Sequence, residues 1–405
     1  MALMLSIFVA TMGISMVSPL LPVYAKELGA SKGWLGFTFS AFAISQAICE
    51  PIIGRLSDRY PRKPFIIGGL LIYMAAALGY LTADTFWQLI AFRMLSGVGT
   101  SALFSVARAY VGDMTPPGHE GRWLGVYATA DIVGFATGPS LAGIVRQFVG
   151  FDAVFIAMAA MMAASALIVL WWLPAKAPRR VSARRAAPAI SFRSALRDRL
   201  VIAIATNAFI LSVGSGASFA FLALRLEDDV MVGPALIGLA FTVQDFTAGV
   251  GQPFFGRMAD RFDRRILVVV GLALQAVLTF LLGVAAVYVV FVGIMLAMGA
   301  AGAISQPASG AIQVVAGRRV GMGTVLGISS MTNSAGLLIG SIIGGIIADI
   351  FNLSATFYFA SIVMGAGVAI FFSLTANLRL TDPAAESAPL QLAEERAVGS
   401  AAASG

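Results

Sequence analysis

Charge is scarce in this chain. Only 12% of its 405 residues are Asp, Glu, Lys or Arg, about half the ~25% of an ordinary soluble domain and too few to cover a water-facing surface of this size. There is one cysteine, Cys49, so neither an internal disulfide nor a cysteine metal cluster can form. There is one histidine, His119, which removes any multi-histidine metal site. A Walker-type phosphate loop, a GxSxG elbow and an HExxH pair are all missing. With them go ATP hydrolysis and the common hydrolase and metalloprotease chemistries. No metal and no cofactor is expected.

What the chain has instead is apolar length. Hydrophobic residues make up 59% of it, in runs that reach the about 20 residues needed to cross a bilayer. Helices are predicted near 2–24, 33–54, 64–82, 86–111, 122–146, 152–173, 200–224, 234–256, 265–283, 286–314, 321–348 and 354–376. The first run opens at Met1 without a basic n-region or a cleavage site, so it reads as the first helix and not as a removed signal. The predicted fold class is an all-α membrane protein of twelve transmembrane helices. Residues 1–173 form one six-helix bundle and residues 200–377 a second. Between them lies a basic linker, 174–199, with Pro174, Pro178 and Pro188; the Ala-, Ser- and Glu-rich stretch 378–405 reads as a disordered tail.

The net charge of +7 raises the question of a nucleic-acid partner, and its placement answers it. Loops after helices 2, 4, 6, 8 and 10 hold 19 of the 27 Lys and Arg residues, and those on the other side hold 4: Lys26, Lys32, Arg146 and Arg225. This is the positive-inside bias. It puts both termini in the cytoplasm of a multi-pass protein of the cell's inner membrane, and it leaves the lipid bilayer, not nucleic acid, as the charged partner.

An offset of 202 residues superposes the two halves without a gap. GRLSDR at 54–59 falls on GRMADR at 256–261, and Pro51 on Pro253. Gly97 falls on Gly299, Gly125 on Gly327, and Gly134, Gly138 and Gly143 on Gly336, Gly340 and Gly345. The chain therefore reads as a duplicated six-helix unit in parallel topology. Away from their ends, helices 3, 6, 9 and 12 carry no charged residue. The intramembrane charges are Glu50, Arg93, Arg108, Asp131 and Asp245, on helices 2, 4, 5 and 8. Charge in hydrocarbon is costly and faces protein or a wet cavity, so every third helix is expected to lie outermost.

At this point the residues resemble the major facilitator superfamily, in its twelve-helix drug:proton antiporter branch. GRLSDRYPRKP at 54–64 is similar to that family's loop between helices 2 and 3, with Pro61 where the family usually has Gly, and GRMADRFDRR at 256–265 is a degenerate second copy. GFATGPSLAG at 134–143 resembles the helix-5 motif of antiporters, and Arg93 with Gly97 and Gly99 resembles the branch's helix-4 motif. The resemblance spans residues 1–377 and implies alternating access of two rocking halves, joined through helices 2 with 11 and 5 with 8.

Topology bias accounts for the four basic residues of 54–63 but for neither Gly54 nor Asp58, which recur at 256 and 260. The resemblance implies that Asp58 docks on helix 11 and that Gly54, Arg59, Arg62, Lys63, Asp113 and Asp260 complete a conformational gate. Gly134, Gly138, Pro139 and Gly143 are expected to shape a tight helix contact, whatever the function. Asp131 lies about 13 Å deep at 1.5 Å per residue. A carboxylate there exchanges protons near neutral pH unless a cation holds it ionised. Asp131, Asp245 and Arg93, the expected cation partner, are therefore the proton-coupling candidates; a static ion pair that orients helices is the competing account. Glu50 and Arg108, nearer the helix ends, read as structural. Met12, Ser15, Arg93, Asn207 and Gln306 are expected to line a substrate cavity.

The functional expectation is a monomeric secondary transporter that exchanges protons for an amphipathic or lipophilic small molecule, outward. A facilitator or importer of a polar metabolite and a lipid flippase on the same fold remain open, because fold does not fix function. A receptor or scaffold would differ in tolerating substitution at Asp58, Asp131 and Arg93. No enzyme constellation is present.

Overall fold

The computed structural model describes residues 2–115, 119–174, 195, 197–259 and 262–376. Twelve helices account for nearly all of them: α1 Ala2–Glu27, α2 Lys32–Ser57, α3 Arg62–Leu81, α4 Phe86–Met114, α5 Glu120–Phe148, α6 Phe151–Trp172, α7 Arg199–Asp228, α8 Pro234–Ala259, α9 Arg264–Val284, α10 Tyr288–Val320, α11 Met322–Ile350 and α12 Leu353–Thr375. In lipid no water satisfies a free backbone group, so a chain of this composition has helices as its economical solution. Eleven of them are long and apolar enough to cross a membrane; α8, which carries Gln244, Asp245, Gln252 and Arg257, is the one left out. Most helices run a few residues beyond the predicted ends, because their caps lie past the apolar stretch. The Thr85 hydroxyl accepts from the Gln88 N–H to cap α4, and the Asn352 side chain accepts from Ala355 N at 2.8 Å to cap α12. The 174–199 linker, apart from Pro174, Ala195 and 197–199, and the tail beyond Ala376 fall outside the described residues.

The 202-residue offset reappears in space. A methyl at Gly97 would stand 2.6 Å from the Phe42 carbonyl, so α4 and α2 touch backbone to backbone; Gly299 meets the Gln244 carbonyl in the same way between α10 and α8. Gly69 against the Gly99 carbonyl is repeated by Gly271 against Ala301. Each pair is separated from its copy by the same 202 positions. The helices α3, α6, α9 and α12, which carry no charge away from their ends, pack within their own set of six.

The two sets of six meet along α2 with α11 and α5 with α8. Both contacts are tight at one end. A Cβ on Gly36 would collide with the Ser341 carbonyl, and one on its copy Gly238 with the Pro139 carbonyl. At the other end the helices splay. Around Gly54 of α2, Gly125 of α5 and Gly327 of α11 nothing lies within 4 Å of where a Cβ would be. The bundle is a V in section, closed where α1 joins α2 and open where α2 joins α3.

Candidate functional site

The closed end is held by charge. Lys26 Nζ donates to Asp228 at 2.6 Å. Arg146 makes a two-pronged pair with Glu227, both N–H···O distances 2.8 Å, with Glu27 at 3.7 Å and the Phe151 ring 4.4 Å from the guanidinium carbon. Two helix starts are capped across the halves. The Asp349 carboxylate accepts from Lys32 N (3.0 Å) and Gly33 N (2.8 Å) at the start of α2, where the helix dipole favours negative charge. Gln147, its copy at the 202 offset, accepts from Ala235 N at 3.2 Å at the start of α8. The hydroxyls of Ser40 and Ser341 lie 2.8 Å apart, and Ser140 donates to Thr242 at 2.7 Å.

Between the arms of the V lies a chamber of about 220 Å³ lined by Asp131, Phe135, Asp245, Ala248, Gln252 and Gln306, among others. It draws one carboxylate from α5 and one from α8. Gln252 donates its side-chain amide to Gln306 at 3.1 Å along its wall. Arg108 is the positive group that acts on Asp131, and it acts on Glu50 as well. The hydroxyl of Tyr127 is buried beside Asp131 and Arg108. Asp245 has no charged group acting on it and makes no hydrogen bond or ion pair among the described residues.

On the opposite side of the α5–α8 contact a second cavity of about 730 Å³ opens between Thr129 and Val133 of α5 and Phe246 and Val250 of α8. Phe246 and Val250 are 53% and 64% exposed and belong to the apolar outer stripe of α8. Ile132, Gly249, Gln252 and Gln306 line both cavities.

The sequence candidates distribute unevenly over this geometry. Asp131, Asp245 and Gln306 come together at the chamber. Arg93 does not join them: it is buried at 4% exposure with its guanidinium carbon 4.4 Å from the Phe42 ring and 5.6 Å from Phe39. Asp131 instead has Arg108 acting on it: the two arginines lie about 22 Å apart along α4 at 1.5 Å per residue, and the later one is at the depth of Asp131. Ser15 is fully buried, its hydroxyl donating to the Met12 carbonyl at 3.1 Å beneath Gly138. Asn207 lines a small void with Ile210, Leu272 and Met364. Ser15 and Asn207 thus belong to packing and not to the cavity wall; Met12, half-buried, lends its carbonyl to the same contact.

Gly134 and Gly138 seat α5 on the Phe8 and Met12 carbonyls of α1, while Pro139 and Gly143 meet Gly238 and Pro234 of α8. At the open end Arg62 Nε donates to Asp113 at 2.6 Å, and its Nη2 lies 3.7 Å from Asp58, whose side chain is 70% exposed. Lys63 donates to the Leu170 and Leu173 carbonyls at the end of α6. Arg59 is exposed, and Asp260 lies outside the described residues. The residues that sequence reasoning missed are Arg108 and the cross-half pairs. One signal existed for the pairs: Lys26 and Asp228 fall on each other at the 202 offset with opposite sign.

A membrane-spanning helical bundle closed at one end over a chamber that opens at the other defines a transporter, not an enzyme. The chain belongs to the Major Facilitator Superfamily, whose sequence profile matches residues 3–226 and again 204–403. It is 27% identical over 381 residues to Multidrug resistance protein 1 of Bacillus subtilis, covering 93% of this chain and 96% of that one. It is 28% identical over 344 residues to the class C tetracycline resistance protein of Escherichia coli, covering 81% and 85%. Among solved structures it superposes on a bacterial homologue of the human lysosomal transporter Spinster, in an inward-facing and occupied conformation. That match has a TM-score of 0.75 at 16% identity, covering 93% of this chain and 96% of the other.

Proposed function

We propose that this transporter exports an amphipathic or lipophilic small molecule in exchange for protons, by alternating access, and that the structure is its inward-facing state. The observation that carries the reading is the chamber in which Asp131 from one half and Asp245 from the other face the same space at the open end. The positive-inside bias assigns that end to the cytoplasm of an inner-membrane protein with both termini inside.

The repeat supports a functional role for the charges. The position equivalent to Asp131 is Asn333, and the one equivalent to Glu50 is Gln252. The fold accommodates a neutral amide at both places, so packing alone does not demand a carboxylate at either. Buried charge that packing does not require is a candidate for proton traffic. In this reading Asp131 and Asp245 release protons to the cytoplasm while the chamber is open inward, and Arg108 competes with the proton for Asp131 and Glu50. When the halves rock, the ion pairs of the closed end part. The Asp58 carboxylate, with Arg62 and Asp113 already set beneath it, then docks on α11 to close the cytoplasmic end. Such a latch needs charge-assisted contacts that break and re-form as units. The drug-resistance names of the two relatives agree with export.

The test uses the full chain in liposomes holding a pH-sensitive dye under an imposed proton gradient. Lipophilic cations, neutral drugs, sugars and amino acids are added in turn. A solute class that dissipates the gradient with wild type and not with Asp131→Asn supports antiport. Solute equilibration with no proton movement sinks the coupling and leaves a facilitator.

A further inference from the structure

We infer that the N-terminal six-helix half is the stator of the transport cycle. Exposed tryptophans seat it in the headgroup interface of both leaflets, and the C-terminal half, which has no such anchor, does the tilting. This rests on the alternating-access reading above and adds a partner, the lipid interface, and a division of labour between the halves.

All five tryptophans of the chain lie in its first half: Trp34, Trp87, Trp123, Trp171 and Trp172. Each sits within four residues of a helix end and is exposed, from 36% at Trp123 to 74% at Trp171. Trp34 and Trp87 stand together at the closed end, their ring centroids 4.4 Å apart, and the other three stand at the open end. Helix α6, Phe151–Trp172, is about 33 Å long at 1.5 Å per residue. The two groups of indoles are therefore about one hydrocarbon thickness, ~30 Å, apart. An indole at a bilayer interface buries its apolar body and leaves its N–H for the headgroups. None of the five N–H groups donates to an acceptor among the described residues, so all five are left for that use.

The second half lacks this device. At the 202 offset stand Leu236, Val289, Val325, Ser373 and Leu374. Its two tyrosines, Tyr288 and Tyr358, commit their hydroxyls to the Leu236 and Gly283 carbonyls at 2.8 and 3.1 Å. Basic residues flank the open end of both halves and do not distinguish them. A protein partner is the weaker account, because the indoles are divided between the two ends and no single surface covers both groups. Interfacial anchors set the tilt of the helices that carry them. A half anchored at two levels keeps its tilt, and the rotation of rocking falls to the half held at neither.

The experiment uses the full chain in nanodiscs and liposomes. Lipids brominated high on the acyl chain quench the tryptophan fluorescence more than lipids brominated at the chain end. In a Cys49→Ser background, spin labels are placed on Phe148→Cys and on its repeat mate Ile350→Cys, both exposed at the closed end. Their depth is read from accessibility to oxygen and to a nickel chelate, with and without Lys26→Asp, which sets two carboxylates face to face at that end. The label at 350 changes depth and the label at 148 holds. Leu236→Trp, Val289→Trp and Ser373→Trp together anchor the second half as well and slow solute exchange about threefold or more. Phenylalanine at the same three positions, an apolar ring without the N–H, leaves the rate near that of wild type.

Stronger quenching by the deep bromines, a label at 350 that moves no more than the one at 148, or a phenylalanine graft as slow as the tryptophan graft each overturns the proposal. So does a tryptophan graft at the wild-type rate; should that graft not fold, the label pair decides. The transport reading fails separately. Labels that behave as expected in a protein whose solute exchange moves no protons leave the stator standing and remove antiport. Labels that move equally in a protein that exchanges solute for protons leave antiport standing and remove the stator.

Discussion

Lys26 and Asp228 form an ion pair of 2.6 Å although they occupy the same position of the two repeats, 202 residues apart. A contact between equivalent positions lies on the pseudo-two-fold axis that relates the halves. The duplication thus placed one residue against its own copy, and opposite signs turned that coincidence into a clasp. The neighbouring Arg146–Glu227 pair, two-pronged with the arginine side chain 9% exposed, is the stronger, since the Lys26 pair is half in water and such pairs contribute about 0–1 kcal/mol.

Exchanging the clasp should therefore be reversible. Lys26→Asp alone sets two carboxylates face to face and shifts the population toward the outward-facing state. The double exchange Lys26→Asp with Asp228→Lys restores it. Spin-label distances across the closed end read this directly. A double exchange that behaves as the single one would show that the pair holds nothing.

Removing the two-pronged pair should do more. Arg146→Gln leaves Glu227 facing Glu27 at the seam between α1, α5 and α7. Loss of a charge-assisted bidentate contact is on the order of 1–3 kcal/mol, enough to change the ratio of the two states by about tenfold. Accessibility of cysteines placed near residue 36 to an impermeant thiol reagent should rise accordingly, with transport slowed.

Glycine contacts give a positional test. Gly36→Val and Gly238→Val drive a side chain into the carbonyls of Ser341 and Pro139, and both should abolish the inward-facing state. Gly54→Ala and Gly327→Ala meet nothing within 4 Å here, so they leave this state intact and act only where the open end must close. Equal effects of all four on the inward-facing population would contradict the V-shaped section.

Much of this architecture was legible because its signals are local. Helix number follows from apolar run length, and the helix contacts follow from glycines whose 202-residue recurrence no composition bias produces. What escaped was depth. Arg93 and Arg108 lie about 22 Å apart along α4 at 1.5 Å per residue but only about 60° apart around it, so they share nearly one face and differ in level. The structure sets Arg108 at the level of Asp131 and stacks Arg93 on Phe42. Ser15 and Asn207 escaped for a different reason, since a small polar side chain that packs under a glycine looks the same in sequence as one that lines a cavity.

Arg93 yields the sharpest separation of stability from function. Its Nε and Nη1 are buried with no hydrogen-bond partner, and the aromatic faces of Phe42 and Phe39 and the Tyr73 hydroxyl compensate it in part. At the 202 offset stands Met295, fully buried in the equivalent place. The repeat thus shows that the fold accepts a long apolar side chain there. Replacing a buried, incompletely satisfied charge by an apolar residue of similar volume is commonly neutral or stabilising by about 1–4 kcal/mol. Arg93→Met should therefore melt at or above the wild-type temperature in detergent. If the arginine serves transport, the same variant should lose solute exchange. A variant that is more stable and still transports at the wild-type rate would mark Arg93 as a relic of packing, whereas one that unfolds would show that the cation–aromatic stack holds α2 and α4 together.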